Sequence, residues 1–155
     1  MLKSIRFFIF SAGCLFLVTA VAKFISASGS AKILQNADPL FPISFRYVFI
    51  FAAIIEMIIG TICFLRKKEM LQAWLLAWLS TFFLLYRLGL VIVGYHEACP
   101  CLGHLTDALH VSPEVADNAM KVILAYLIIG SYGSLFWFWR HKNIPASSLV
   151  NELAQ

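Results

Sequence analysis

Four apolar stretches, each long enough to cross a bilayer, constrain this chain more than any other feature of it. They run roughly from Phe7 to Ile25, Phe45 to Leu65, Met70 to Tyr95 and Val115 to Trp139. A helix needs about 20 residues to traverse ~30 Å of hydrocarbon, and each stretch reaches or approaches that length. None shows the period-two alternation of a barrel strand. The chain is 61% hydrophobic and 13% charged, whereas a soluble domain is about half apolar and about a quarter charged. The expected fold is therefore an all-α membrane protein. It is a single four-transmembrane-helix bundle over residues 1–142, with helices at about 7–25, 45–65, 70–95 and 113–139 and a polar tail at 143–155. The lipid bilayer is its first partner.

The formal charge of +4 does not point to nucleic acid, because the basic residues stand in short clusters at the ends of apolar runs. Lys3 and Arg6 precede the first span, Arg66, Lys67 and Lys68 join the second to the third, and Arg140 and Lys142 follow the fourth. The other two connections, with their flanks, hold Lys23, Lys32, Arg46 and Lys121, offset by Asp38, Glu97, Asp107, Glu114 and Asp117. The positive-inside rule then predicts a multi-pass protein of the cytoplasmic (inner) membrane with both termini and the tail in the cytoplasm. The segment carrying Cys99 and Cys101 is expected on the extracytoplasmic side, where paired cysteines can form and hold a disulfide. The first stretch imitates a signal peptide, with a basic start and small residues at 26–30, but its apolar part is too long and three more spans follow. Ser11-Ala12-Gly13-Cys14 imitates a lipoprotein box behind an apolar run too short to serve one.

Local signals place the connections. Ser112 suits a helix N-cap, Pro113 the first helical position and Glu114 the positive end of the helix dipole. Leu102, Leu105, Ala108 and Leu109 have helical spacing and predict a short amphipathic helix on the membrane surface. Pro39 and Pro42 mark the first connection as a loop that partly re-enters the interface. Gly60, Gly89, Gly94, Gly130 and Gly133 are expected where helices pack closely. Cys14 and Cys63 are expected as small packing residues, and Trp74, Trp78, Trp137 and Trp139 as lipid-facing or interfacial anchors.

Cys99-Pro100-Cys101 is the concentrated chemical signal. One intervening residue lets the two sulfurs meet only in a small ring, and departures from relaxed disulfide geometry store strain. Strained disulfides are easier to reduce and better oxidants of other thiols. Pro100 fixes its own φ and limits relaxation of the ring, while Gly103 permits an unusual turn. A metal site is the rival: His96, Cys99, Cys101 and His104 are suitable ligand types within nine residues, but H-x2-C-x-C-x2-H is not a familiar zinc spacing. His110 and Asp107 are of the right type to supplement it, but solvated loop residues are the better account of them.

Charges inside the spans come next. Glu56 and Arg87 sit deep in the second and third stretches, where charge is expensive and faces the bundle interior. Similar depths, about 16 Å and 12 Å below the helix ends at 1.5 Å per residue, suggest that they pair. Lys23, near the end of the first span, is expected either to snorkel to the interface or to stabilise a thiolate at Cys99 or Cys101. Tyr86, Tyr95 and Tyr126 have the character to line a quinone pocket, but ordinary packing is the better account of them.

With these residues in place, the chain resembles the MauE/DoxX group of small redox-associated membrane proteins. Gly13 with Lys23 is similar to that group's first helix, Pro39 to Pro42 to its proline-bearing outer loop, and Glu56 followed by Gly60 to its E-x-x-x-G second helix. Cys99-Pro100-Cys101-Leu102-Gly103 is similar to its C-G-C-F-G signature, with Pro100 for the usual glycine and Leu102 for the usual phenylalanine. The stretch from His104 to Asn118 is longer and more polar than the group's pattern and reads as a docking surface. The resemblance implies a four-helix bundle like the quinone-linked disulfide-forming membrane proteins. It also implies work on thiols of exported proteins, beside a thioredoxin-like partner.

The expected function is a membrane thiol–disulfide redox protein. Cys99 and Cys101 would carry the exchange, supported by Lys23, Glu56, Arg87, Pro100 and Gly103. No cofactor is assigned, quinone being the one left open. The alternative is a non-catalytic membrane anchor or assembly subunit of a larger complex.

Overall fold

The computed structural model describes residues 2–28, 37–65, 68–94 and 113–142. They form four helices: α1 (Leu2–Ser28), α2 (Phe45–Phe64), α3 (Glu69–Ile92) and α4 (Pro113–Lys142). All four are long and apolar enough to cross a membrane, and no strand occurs among the described residues. α1 begins well before the apolar run does, since an aqueous flank can extend a helix beyond the bilayer. α3 stops at Ile92, three residues before the expected Tyr95. Gly94, at φ +79°, takes up the left-handed conformation that commonly ends a helix. α4 is described from Pro113 onward, and the N-cap expected at Ser112 lies outside the described residues.

The bundle is assembled from two helix pairs, α1 with α2 and α3 with α4, and contact between the pairs is sparser. Within lipid there is little hydrophobic drive for helices to associate, so small residues that allow close backbone approach matter most. Gly13 and Gly60 serve this purpose. A Cβ at Gly13 would stand 2.8 Å from Cys63 Cβ, and one at Gly60 3.0 Å from the Leu17 side chain and 3.2 Å from the Gly13 carbonyl oxygen. Cys63 is buried against this contact and Cys14 is partly buried; both are free thiols. Gly130 gives way to the ring of Phe8, and Gly89 to Leu40. Gly133 departs from expectation, because among the described residues nothing lies within 4 Å of its Cβ position, and Gly94 serves a turn instead. Trp74, Trp78 and Trp139 are exposed on the bundle surface, which in a membrane means toward lipid or its interface.

Gly13→Ala should therefore force α1 and α2 apart and destabilise the protein by about 1–3 kcal/mol, as overpacking does. Gly133→Ala should change stability by less than about 0.5 kcal/mol. Denaturant unfolding in mild detergent checks both, and equal effects would contradict this packing.

The dense core gathers Ile5, Phe8, Ile9, Ala12 and Phe16 of α1 with Ile59 and Cys63 of α2, Leu76 and Leu79 of α3 and Leu127 of α4. Polar side chains join elements around it. Ser11 and Tyr126 hydroxyls link α1 to α4 at 2.8 Å, and Thr81 and Tyr132 link α3 to α4 at 2.8 Å. The Gln72 amide donates to the carbonyls of Ile62 (2.8 Å) and Leu65 (2.6 Å). It thereby satisfies acceptors that the end of α2 leaves open and fixes the turn into α3. Arg6 and Glu69 pair the beginnings of α1 and α3.

The proline-bearing connection is anchored at the opposite end. Asp38 is buried; its Oδ1 accepts from the backbone N–H of Leu40 (2.7 Å) and Phe41 (3.2 Å), an Asx turn. Its other oxygen accepts from the Tyr86 hydroxyl, and Phe41 stacks on the Tyr86 ring. An isolated bridge between Ala37 and Ser44 closes the loop. The segment thus folds back over the end of α3 and covers a cavity beneath it.

Candidate functional site: a buried ion pair beside an intramembrane cavity

Glu56 lies eleven residues into α2 and is 1% exposed, and Lys23 is 6% exposed. Their side chains form an ion pair, Lys23 Nζ donating to Glu56 Oε1. The second carboxylate oxygen accepts from the Thr19 hydroxyl at 3.2 Å. Thr19 and Lys23 are four residues apart and therefore share one face of α1. Lys23 also sits over the Phe83 ring, 5.2 Å from its centre, in cation–π contact. An unpaired charge at this depth would be costly, and here each member neutralises the other.

This arrangement corrects two sequence expectations. Lys23 does not snorkel; it turns inward onto Glu56. Glu56 does not pair with Arg87, whose guanidinium instead binds Asp117 of α4. Asp117 also accepts from Lys121 one turn later, at 2.8 Å. Depth does not choose between the two cations, because α3 ends earlier than expected. Arg87 lies five residues before Ile92, hence about 8 Å deep rather than 12 Å. Lys23 lies five residues before Ser28, at a similar depth. The helix pairing then decides: α1 packs on α2, so Lys23 receives Glu56, and α3 packs on α4, so Arg87 receives Asp117.

Beside the Lys23–Glu56 pair opens a cavity of about 550 Å³ between the two helix pairs. Its wall is almost entirely apolar and rich in aromatic rings, among them Phe16, Phe49, Phe82, Phe83, Tyr86 and Trp78. Among the described residues, Thr19, Lys23, Glu56, Arg87, Tyr86 and Trp78 bring polar atoms to its lining. Tyr126 is directed elsewhere, to Ser11 and edge-on to Phe8. Tyr95 lies outside the described residues.

Thr19, Asp38 and Asp117 escaped sequence reasoning. The spacing of Thr19 to Lys23 and of Asp117 to Lys121, each i to i+4, was the available signal. Asp38 beside Pro39 was the signal for the turn. Cys99, Pro100, Cys101 and Gly103 lie outside the described residues, as do His96 and His104 of the alternative metal set and the amphipathic stretch 102–109. The chain leaves α3 after Gly94 and enters α4 at Pro113, both at the bundle end that carries the Asp38 loop. Among the described residues there is no cluster of three or more His, Cys, Asp or Glu side chains able to hold a metal ion.

Comparison with known families agrees with the resemblance read from the sequence. The family model described as methylamine utilisation protein MauE matches residues 1–133. Neither the curated proteins nor the solved structures contain a match. With four membrane-crossing helices and a family match over most of its length, this chain belongs to the MauE family and is a multi-pass membrane protein.

Proposed function

We propose that this protein is a membrane thiol–disulfide redox protein in which Cys99 and Cys101 exchange a disulfide with cysteines of an exported protein or a thioredoxin-like partner. The observation that carries the reading is the Cys99-Pro100-Cys101-Leu102-Gly103 element in a chain of the MauE family. The coarser reading the family supports is a membrane protein of a redox or methylamine-utilisation pathway. In the proposed topology both termini face the cytoplasm and the cysteine segment faces outward, on the strength of the basic clusters.

The exchange runs through a mixed disulfide. A thiolate of one partner attacks a sulfur of the other's disulfide and displaces the second sulfur as thiolate. The remaining thiol of the attacking pair then resolves the bond. Two electrons and two protons pass from the dithiol to the disulfide, and the products are one new dithiol and one new disulfide.

Trapping tests the proposal. With Cys101→Ala, or with Cys99→Ala, the remaining cysteine lacks its resolving neighbour, and the mixed disulfide should persist. Non-reducing electrophoresis of membranes should reveal an adduct that is lost on reduction and contains an extracytoplasmic protein. Adducts with cytoplasmic proteins alone would overturn the orientation. A stable partner that co-purifies without any thiol turnover would identify an anchoring or assembly subunit instead.

A further inference from the structure

We infer that the cleft between the start of α3 and the end of α4 holds an anionic phospholipid, its phosphate on Lys68 and one acyl chain along the exposed ridge of α3. The inference concerns the bundle end where α1 and α3 begin. It depends neither on the side of the membrane that this end faces nor on whether Cys99 and Cys101 exchange disulfides. Three observations carry it.

The first is the cleft. A space of about 700 Å³ is lined by Lys68, Glu69, Met70, Leu71 and Trp74 and, from α4, by Phe138. Its charged residues stand where α3 begins and its apolar ones farther along the helices, the order in which a phospholipid presents head and tail.

The second is charge. Lys68 is exposed at the mouth of the cleft. Glu69, the carboxylate in the lining, is paired with Arg6 of α1, so it does not cancel Lys68. Arg66, Lys67, Arg140 and Lys142 belong to the same ends of the spans. Basic clefts between membrane helices are suited to anionic headgroups.

The third is length. Met70, Trp74, Trp78 and Phe82 follow one another at four-residue steps and are all exposed, so they form one ridge of apolar surface. Trp78 stacks on Phe82 with ring centres 6.2 Å apart. Lys68 to Trp78 is about 15 Å at 1.5 Å per residue, the depth of one leaflet in a ~30 Å hydrocarbon core. An acyl chain whose head is held at Lys68 thus lies against aromatic rings through its own leaflet.

Other occupants match less of this surface. Free phosphate would use the charge and leave the ridge bare. A zwitterionic phospholipid brings a cation beside its phosphate. A second copy of this chain, inserted in the same direction, would set its own basic clusters against these.

The test uses the full-length protein in mild detergent, stripped of lipid and then given equimolar phosphatidylglycerol and phosphatidylcholine. Native mass spectrometry should find one phosphatidylglycerol retained per chain, preferred about tenfold over phosphatidylcholine. Lys68→Gln should cut that preference about fivefold, the share of one lysine near anionic lipid. Lys3→Gln, exposed at the same bundle end but outside the lining, should leave it unchanged. Trp74→Ala should weaken retention of both lipids about fivefold and keep the preference between them. Phosphatidylglycerol brominated in its acyl chains should quench tryptophan fluorescence saturably, and Trp74→Phe combined with Trp78→Phe should remove most of that quenching. If Trp74→Ala fails to fold, the comparison of Lys68→Gln with Lys3→Gln still decides. Equal retention of the two lipids, equal losses in Lys3→Gln and Lys68→Gln, or quenching that survives loss of both tryptophans would overturn the inference. So would displacement of the lipid by inorganic phosphate, which marks a simple anion site, or a lipid-free dimer, in which a second copy covers the ridge.

Discussion

Lys23→Met and Glu56→Met should each destabilise the protein severely, and combining the two should restore most of the loss. Both side chains are almost fully buried, and they hold each other's charge. Removing one partner of a buried pair commonly costs about 3–5 kcal/mol, because the survivor is left as a stranded charge. In a membrane the penalty is softened by water defects and side-chain rearrangement, so losses of about 2–4 kcal/mol are expected here. Replacing both by apolar residues of similar length removes both charges, and exchanges of that kind are often near neutral. Arg87→Gln supplies the contrast. Among the described residues Arg87 shares no partner with Glu56, so its effect should add to that of Glu56→Met within about 0.5 kcal/mol. Denaturant titrations of the singles and doubles in one detergent would settle the matter. Additive losses for Lys23 and Glu56, or a large coupling between Glu56 and Arg87, would refute the pairing described here.

The same residues show how far the sequence could be read. Four long apolar runs announce four helices, because that signal is local to the chain. Gly60 and Gly130 were legible as packing points, since small residues in lipid-embedded helices have few other uses. The partner of Glu56 was not legible. Counting residues along a helix gives depth, but not rotation about the axis or the identity of the neighbouring helix. Lys23 and Arg87 lie at nearly the same depth, and only the pairing of α1 with α2 separates them. Asp38 was hidden for a related reason. It reads as one of several acidic residues in a connection, and its role follows from Tyr86, forty-eight residues later. The cavity depends on both facts: α1 and α2 meet tightly at Gly13 and Gly60, while the sparse contact between the pairs leaves space beside Lys23. The cysteine element is the reverse case, plain in the sequence as a motif but outside the described residues.

On the proposed function, the Cys99–Cys101 couple should be a labile disulfide with a reduction potential well above about −300 mV, the region below which structural disulfides sit. Closing a ring across one residue constrains the torsions a disulfide prefers. Pro100 then removes freedom in φ that would relieve the constraint. Strain in the oxidised form favours reduction, so the sign is upward, and for a two-electron couple about 30 mV corresponds to ~1.4 kcal/mol. A few kcal/mol of strain would thus raise the potential by several tens of millivolts. Lys23 is engaged by Glu56, so it is not counted toward stabilising a thiolate at either cysteine. Equilibration against glutathione buffers, followed by mass-shift labelling of free thiols, reads the potential directly. Cys14 and Cys63 are replaced by Ala in a reference protein so that only this pair reports. In that background Cys99→Ala and Cys101→Ala should each abolish turnover of a dithiol peptide, since neither thiol alone can complete the two-electron exchange. A potential at or below −300 mV, or full turnover after loss of either cysteine, would mean an inert staple. A pair that never oxidises and holds zinc instead would transfer the chemistry to His96, Cys99, Cys101 and His104.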